Sequence, residues 1–160
     1  MTPDDLVEIE AIKQLKYRYI RAVDLRLWDV LEDCLTEDAV ASYAGGKMSF
    51  EGRAAILGFM RDSLGDTDIL TAHRVHQPEI ALTGPKTATA RWALDDTVIV
   101  RSAGLTIRGA AYYEDEMVKT GSEWRIASTG YKRIYEEMEP RDRPGLQLVD
   151  AWWDQSAATP

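Results

Sequence analysis

The apolar pattern of this chain changes period once, at Thr71. Before Thr71 the apolar residues recur every three or four positions; after it they come close to alternating. That switch predicts helices in the first half and sheet in the second. Four long strands are predicted, at about 71–83, 86–102, 105–119 and 123–136. The breaks between them are Thr83-Gly84-Pro85-Lys86, Ser102-Ala103-Gly104 and Thr120-Gly121-Ser122-Glu123. Each is a short turn, so successive strands are expected to be antiparallel neighbours.

The first half divides further. Leu6, Ile9, Ile12, Leu15, Tyr19, Val23 and Leu27 fall at helical spacing and predict a helix over 4–29. Thr2 or Asp4 can cap it, with Pro3 tolerated in its first turn. A short second helix places Trp28, Leu31 and Leu35 inward. Residues 39–43 read as a short strand, Gly45-Gly46 as a turn, and Met48-Ser49-Phe50 as the returning strand. Gly52 precedes a third helix, Arg53 to Leu64. Helices followed by an antiparallel meander make an α+β fold. A strongly curved sheet wrapped by a long first helix leaves a central cavity, the place for a ligand.

Composition narrows the function classes. Apolar residues make up 45% of the 160, enough for one domain with a packed core. The formal net charge is −8, which argues against nucleic acid or an acidic membrane as partner. No apolar run approaches the roughly 20 residues that span a bilayer. The acidic start, Met1-Thr2-Pro3-Asp4-Asp5, lacks the order of a signal peptide, so a soluble cytoplasmic protein is expected. Cys34 is the single cysteine, which excludes an internal disulfide and a cysteine-based zinc site. From Pro140 the chain forms a tail carrying Leu146, Leu148, Val149, Trp152 and Trp153. An apolar tail must dock. Domain 1–139 and tail 140–160 are therefore separated, the tail lying on the domain or on a neighbouring subunit.

Two polar residues stand out against this apolar pattern. Asp24 lies four residues after Ile20 and three before Leu27, on an arc that faces the core or a cavity. His73 lies at the opening of the first long strand, on one face with Thr71 and Val75, while His76 falls on the other. If the two meet, the carboxylate fixes the imidazole tautomer and raises its basicity, which builds a general base. The bland readings are a helix-end carboxylate paired with Arg21 or Arg26 and a structural histidine.

Five segments together resemble the SnoaL-like branch of the NTF2-like superfamily over about residues 5–136. They are Leu15 to Asp24, Leu35 to Val40, Gly52 to Ile56, Thr71-Ala72-His73 and Gly121 to Ile126. The resemblance implies a cone-shaped α+β fold. Within the branch the pattern is similar to bile-acid 7α-dehydratases, scytalone dehydratase and hexachlorocyclohexane dehydrochlorinase, eliminating enzymes without metal or organic cofactor. It implies Asp24 and His73 as the dyad, Tyr19 as a hydrogen-bond donor and Asp96 as an acid on the next strand. Tyr43 matches a tyrosine of scytalone dehydratase. The dehydrochlorinase pattern has an arginine where this chain has Thr129; Arg133 lies further along that strand.

The residues leave alternatives open beside that resemblance. Tyr17 competes with Tyr19, being seven residues from Asp24 and on its face. Asp96 shares a face with Trp92 and Leu94, and Asp95 takes the other. Trp92, Tyr113, Met117 and Tyr131 are expected as apolar pocket wall, with Tyr43 and Arg133 as further substrate contacts. No His/Asp/Glu cluster has metal-ligand spacing, and no glycine-rich phosphate loop or serine or cysteine nucleophile signature occurs. The expectation is a cofactor-independent lyase of dehydratase type, acting on a hydrophobic cyclic small molecule and assembled as a homodimer or homotrimer. The competing readings are a proton-transfer isomerase, a binding protein whose pocket its own tail fills, and an epoxide hydrolase built on Asp24, Asp96 and Arg91.

Overall fold

The computed structural model describes residues 1–155. Three helices, α1 (Pro3–Leu25), α2 (Trp28–Cys34) and α3 (Arg53–Leu64), accompany six strands. These are β1 (Leu35–Tyr43), β2 (Met48–Glu51), β3 (Ile69–Gly84), β4 (Thr87–Val100), β5 (Leu105–Thr120) and β6 (Glu123–Pro140). They form one sheet in the order β2-β1-β6-β5-β4-β3. The α+β class and the meander of four long antiparallel strands agree with the sequence. One pairing is of another kind: β1 runs parallel to β6, so the sheet is mixed.

Thr2 caps α1 in a reciprocal box with Asp5, the Asp5 amide donating to Thr2 Oγ1 at 3.2 Å and the Thr2 amide to Asp5 Oδ2 at 2.6 Å. Ile12, Leu15, Tyr19 and Val23 are buried against the concave face of the sheet, whereas Leu6, near the free end, is 54% exposed. Glu8 ties that end down: Lys119 Nζ and Trp124 Nε1 each reach it at 2.6 Å.

The expected helix over 4–29 breaks at Arg26, which takes a left-handed conformation with φ 54°. Glycine ordinarily fills such a cap, so nothing in the sequence marks the stop. The Arg26 side chain compensates for the strain locally. Its guanidinium donates to the carbonyls of Asp66 and Ile69 and lies 4.0 Å from the Trp153 ring. β1 also starts earlier than expected, at Leu35, because its parallel register with β6 begins at the Leu35–Ile126 pair.

The tail docks on its own domain over the described residues. Arg141 Nη1 donates to Thr106 Oγ1 at 2.8 Å, and Asp154 accepts from both Arg101 nitrogens at 2.9 and 2.6 Å. Ala151 is buried, while Trp152 is 58% exposed. The tail thus follows the rim where β4 ends and β3 begins, and Trp153 reaches the end of α1. Residues 156–160 of the expected tail lie outside the described residues. Among the described residues no helix is long and apolar enough to cross a membrane.

Candidate active site

Asp24 is the penultimate residue of α1, and β3 passes beside it. The two sequence-selected residues meet: His73 Nδ1 lies 2.7 Å from Asp24 Oδ1. The His73 amide donates to Oδ2 at 2.9 Å, and the Thr71 hydroxyl donates to Oδ1 at 2.8 Å. Thr71 and His73 reach the same carboxylate because alternate strand residues share a face. Burial pushes the Asp24 carboxyl up, but the ring, charge and backbone amide of His73 and the Thr71 hydroxyl outweigh it. The group titrates below the ordinary carboxylate value. A carboxylate can only accept, so Nδ1 carries the proton and Nε2 keeps the lone pair of the neutral ring. His73 and Asp24 side chains are 14% and 18% exposed, enough for contact with a small molecule.

The polar row continues across the sheet. His73, Asp96 and Gly109 are direct register partners on β3, β4 and β5. Arg133 grips Asp96 with both terminal nitrogens, Nη2 to Oδ2 at 3.0 Å, and its Nε lies 3.0 Å from Glu136 Oε2. A bulge in β6 makes this reach possible: Ala111 pairs with Arg133 and Ala110 with Tyr135, leaving Ile134 over. Arg133 then faces inward while Ile134 and Tyr135 are exposed at 64% and 52%.

Tyr19 does not join the dyad. It is fully buried, and its hydroxyl lies 3.4 Å from that of Tyr43. Burial pushes the phenols of Tyr19, Tyr43 and Tyr113 upward, which keeps them protonated. Tyr17, the competitor, lines the groove with Asp24 and His73. Trp92, Tyr113 and Met117 are packed into the centre of the cone, and Tyr131 leans on Tyr43 and Tyr113 at ring distances of 5.4 and 5.6 Å. The concavity holding the dyad is therefore displaced from the centre, where these side chains fill the space. It is a groove of ≈ 450 Å³ between α1 and the edge strand β3, walled by Tyr17, Ile20, Leu25 and Val75.

A larger concavity of ≈ 870 Å³ crosses the outer face of the sheet past Arg91, Glu114 and Lys132. It includes none of Asp24, His73, Asp96 and Arg133.

Lys16 and Asp115 are not among the residues the sequence singles out. Both are wholly buried, with Lys16 Nζ 2.8 Å from Asp115 Oδ2 and 3.5 Å from the Tyr113 ring centre. Thr129 donates to Asp115 Oδ1 at 2.7 Å. The signal was the one that marked Asp24: Lys16 is four residues from both Ile12 and Ile20. Among the described residues no group of three or more His, Cys, Asp or Glu side chains could hold a metal ion.

A family profile described as the SnoaL-like domain matches residues 4–130. The chain belongs to the SnoaL-like domain family. That family lies within the NTF2-like superfamily, and solved structures of similar shape agree. A candidate scytalone dehydratase from Novosphingobium aromaticivorans superposes with TM-score 0.79 at 22% identity, covering 86% of this chain and 91% of that one. A hexachlorocyclohexane dehydrochlorinase, LinA-type3, from Novosphingobium barchaimii gives 0.78 at 17%, covering 92% and 98%. A candidate aromatic ring hydroxylase from Novosphingobium aromaticivorans gives 0.76 at 22%, covering 88% and 96%. At such identities this SnoaL-like domain shares their fold, and its chemistry must be argued from its own residues.

Proposed function

We propose that this SnoaL-like domain is a cofactor-independent lyase, eliminating water from a hydrophobic cyclic small molecule with His73 as general base. The observation that carries the reading is the Asp24–His73 contact at 2.7 Å, with the carboxylate held by two further donors. A carboxylate so fixed leaves one imidazole nitrogen, Nε2, as base and steadies the cation formed there. Nε2 takes a proton from a carbon next to an activating group. The freed electron pair forms the double bond as the carbon–oxygen bond breaks. The imidazolium returns its proton to the departing hydroxide, which leaves as water. The naming of fold neighbours as a candidate scytalone dehydratase and a dehydrochlorinase supports the same reaction type.

Asp96 neighbours His73 in the row, and Arg133 holds it there. Tyr17 replaces Tyr19 as the hydroxyl nearest the reacting substrate, since only Tyr17 lines the groove. The buried aromatics act as a rigid floor. Assembly belongs to the same reading. Tyr112, Ile134 and Tyr135 stay 40%, 64% and 52% exposed on the outer face of β5 and β6, an apolar patch that suits a homodimer or homotrimer contact.

The test is a screen of hydroxylated ring compounds followed by mass spectrometry for loss of water. Product of unchanged mass but shifted double bond would replace the lyase reading with an isomerase. No turnover of any compound that binds would leave a binding protein.

A further inference from the structure

Arg21 and Arg74 line the groove over the dyad, and the elimination above uses neither. Arg21 lies four residues after Tyr17 and three before Asp24, on the same side of α1. Arg74 follows His73 on β3, so the two arginines come from opposite banks. Both are exposed. Among the described residues neither forms an ion pair, whereas Arg53, Arg91, Arg101, Arg125, Arg133 and Arg143 all do. The groove's own carboxylate, Asp24, is already held by Thr71 and His73, and His76 at its edge lies 3.5 Å from Asp95. In a chain of net charge −8, two uncommitted guanidiniums beside an apolar slot form a local positive field. Guanidinium groups match planar oxyanions in geometry and charge.

We propose that the groove takes an amphiphilic anion: an apolar ring system that carries a carboxylate or similar oxyanion gripped by Arg21 and Arg74. The ring lies along Tyr17, Ile20, Leu25 and Val75 and presents its reacting carbon to His73. This assignment of substrate class rests on the groove being the site of the His73 chemistry.

The experiment reads binding without turnover. The chain has two histidines, and both line this groove. His76 also borders the outer-face concavity with Tyr112 and Ile134, so the His73 ring signal in carbon-edited NMR is the one that reports the groove and not the apolar outer face. The probes are anilinonaphthalene sulfonate, an apolar anion, and phenylnaphthylamine, its uncharged counterpart. The sulfonate is expected to shift the His73 ring signal saturably. Arg21→Gln and Arg74→Gln are each expected to raise its dissociation constant about three- to tenfold, and added salt to weaken it further. The neutral probe is expected to be unaffected by either. Equal affinity for both probes in the unaltered protein, or full sulfonate binding by the double variant, overturns the assignment. If the arginine dependence holds while no ring oxyanion is turned over, the lyase reading alone fails. If a neutral compound is turned over in a His73-dependent way and the sulfonate does not bind, the anion assignment alone fails.

Discussion

The guanidinium of Arg133 lies over Gly109: a Cβ there would come within 2.5 Å of Nη1 and 2.9 Å of the Tyr135 carbonyl. The missing side chain is what lets an arginine on β6 reach across β5 to Asp96 on β4. Gly109→Ala is expected to dislodge Arg133 and destabilise the fold by about 1–3 kcal/mol, the usual cost of overpacking. Urea denaturation measures it. If the Arg133→Ala background shows the same loss on adding Gly109→Ala, the two residues are not coupled.

The dyad gives an ordering of activities once a substrate is in hand. His73→Ala is expected to lower turnover by about 10²–10⁴-fold with the fold intact, the ordinary worth of a general base. Asp24→Asn is expected to be severe too, since an amide does not steady an imidazolium. Tyr19→Phe is expected to be mild, because its hydroxyl meets Tyr43 away from the groove. Chelator treatment is expected to leave turnover unchanged. Near-full activity in His73→Ala, measured by product formation, would sink the base assignment.

Acid stability should carry the mark of Asp24. Its carboxyl titrates lower in the fold than its ordinary value of 3.8, because the His73 and Thr71 donors outweigh burial. The unfolded chain therefore binds the proton more readily. This contribution is complete above about pH 3.8 and fades as pH falls through the folded value. Thermal melts between neutral and acid pH are expected to fall less steeply for Asp24→Asn than for the unaltered protein in that acid range. Parallel curves would show that the carboxylate gains nothing from its donors.

The buried Lys16–Asp115 pair should behave asymmetrically. Lys16→Met strands a carboxylate in the core and is expected to cost about 3–5 kcal/mol. Lys16→Met, Asp115→Leu and Thr129→Val together remove every member of the cluster. That variant is expected to recover most of the loss, since apolar replacements of a buried ion pair are often neutral. Failure of the triple variant to recover, in chemical denaturation, would mean the pair holds the cone by more than its charge.

The outer face supplies a test of assembly. Ile134→Lys with Tyr135→Lys places two cations on the apolar patch and is expected to yield monomers by light scattering. The cross-strand ladder Glu79–Arg91–Glu114–Lys132 already shows the face to be charged beside that patch. A monomeric unaltered protein at micromolar concentration would remove the assembly reading.

Much of this arrangement was legible because local pattern and tertiary role agree. Alternation after Thr71 gave the meander, and a carboxylate on an apolar arc pointed to Asp24. Lys16 obeys the same rule, yet a lysine stem on an apolar arc ordinarily carries its charge out to water, which masks a buried one. The stop at Arg26 and the bulge at Ile134 rest on a left-handed arginine and an extra residue that composition does not mark. The displacement of the groove toward β3 depends on how Trp92, Tyr113 and Met117 fill the centre, a matter of packing volume and not of period. Nothing short-range says which strand β1 will join.

That last pairing shapes how the protein is made. Among the described residues β6 is the last strand, and it sits third in the sheet, between β1 and β5. Until it is synthesised, β1 and β2 are a small hairpin with no sheet to join, and the helices before β3 have only part of their floor. Contacts as distant in sequence as Leu35 with Ile126 put the entropic cost of loop closure ahead of the reward, so folding on the millisecond-to-second scale of about 10⁻³–1 s is the expectation. A ribosome stalled within β6 would display an open seam in the middle of the sheet, with two rows of unpaired backbone facing each other: a ready target for chaperones and for aggregation.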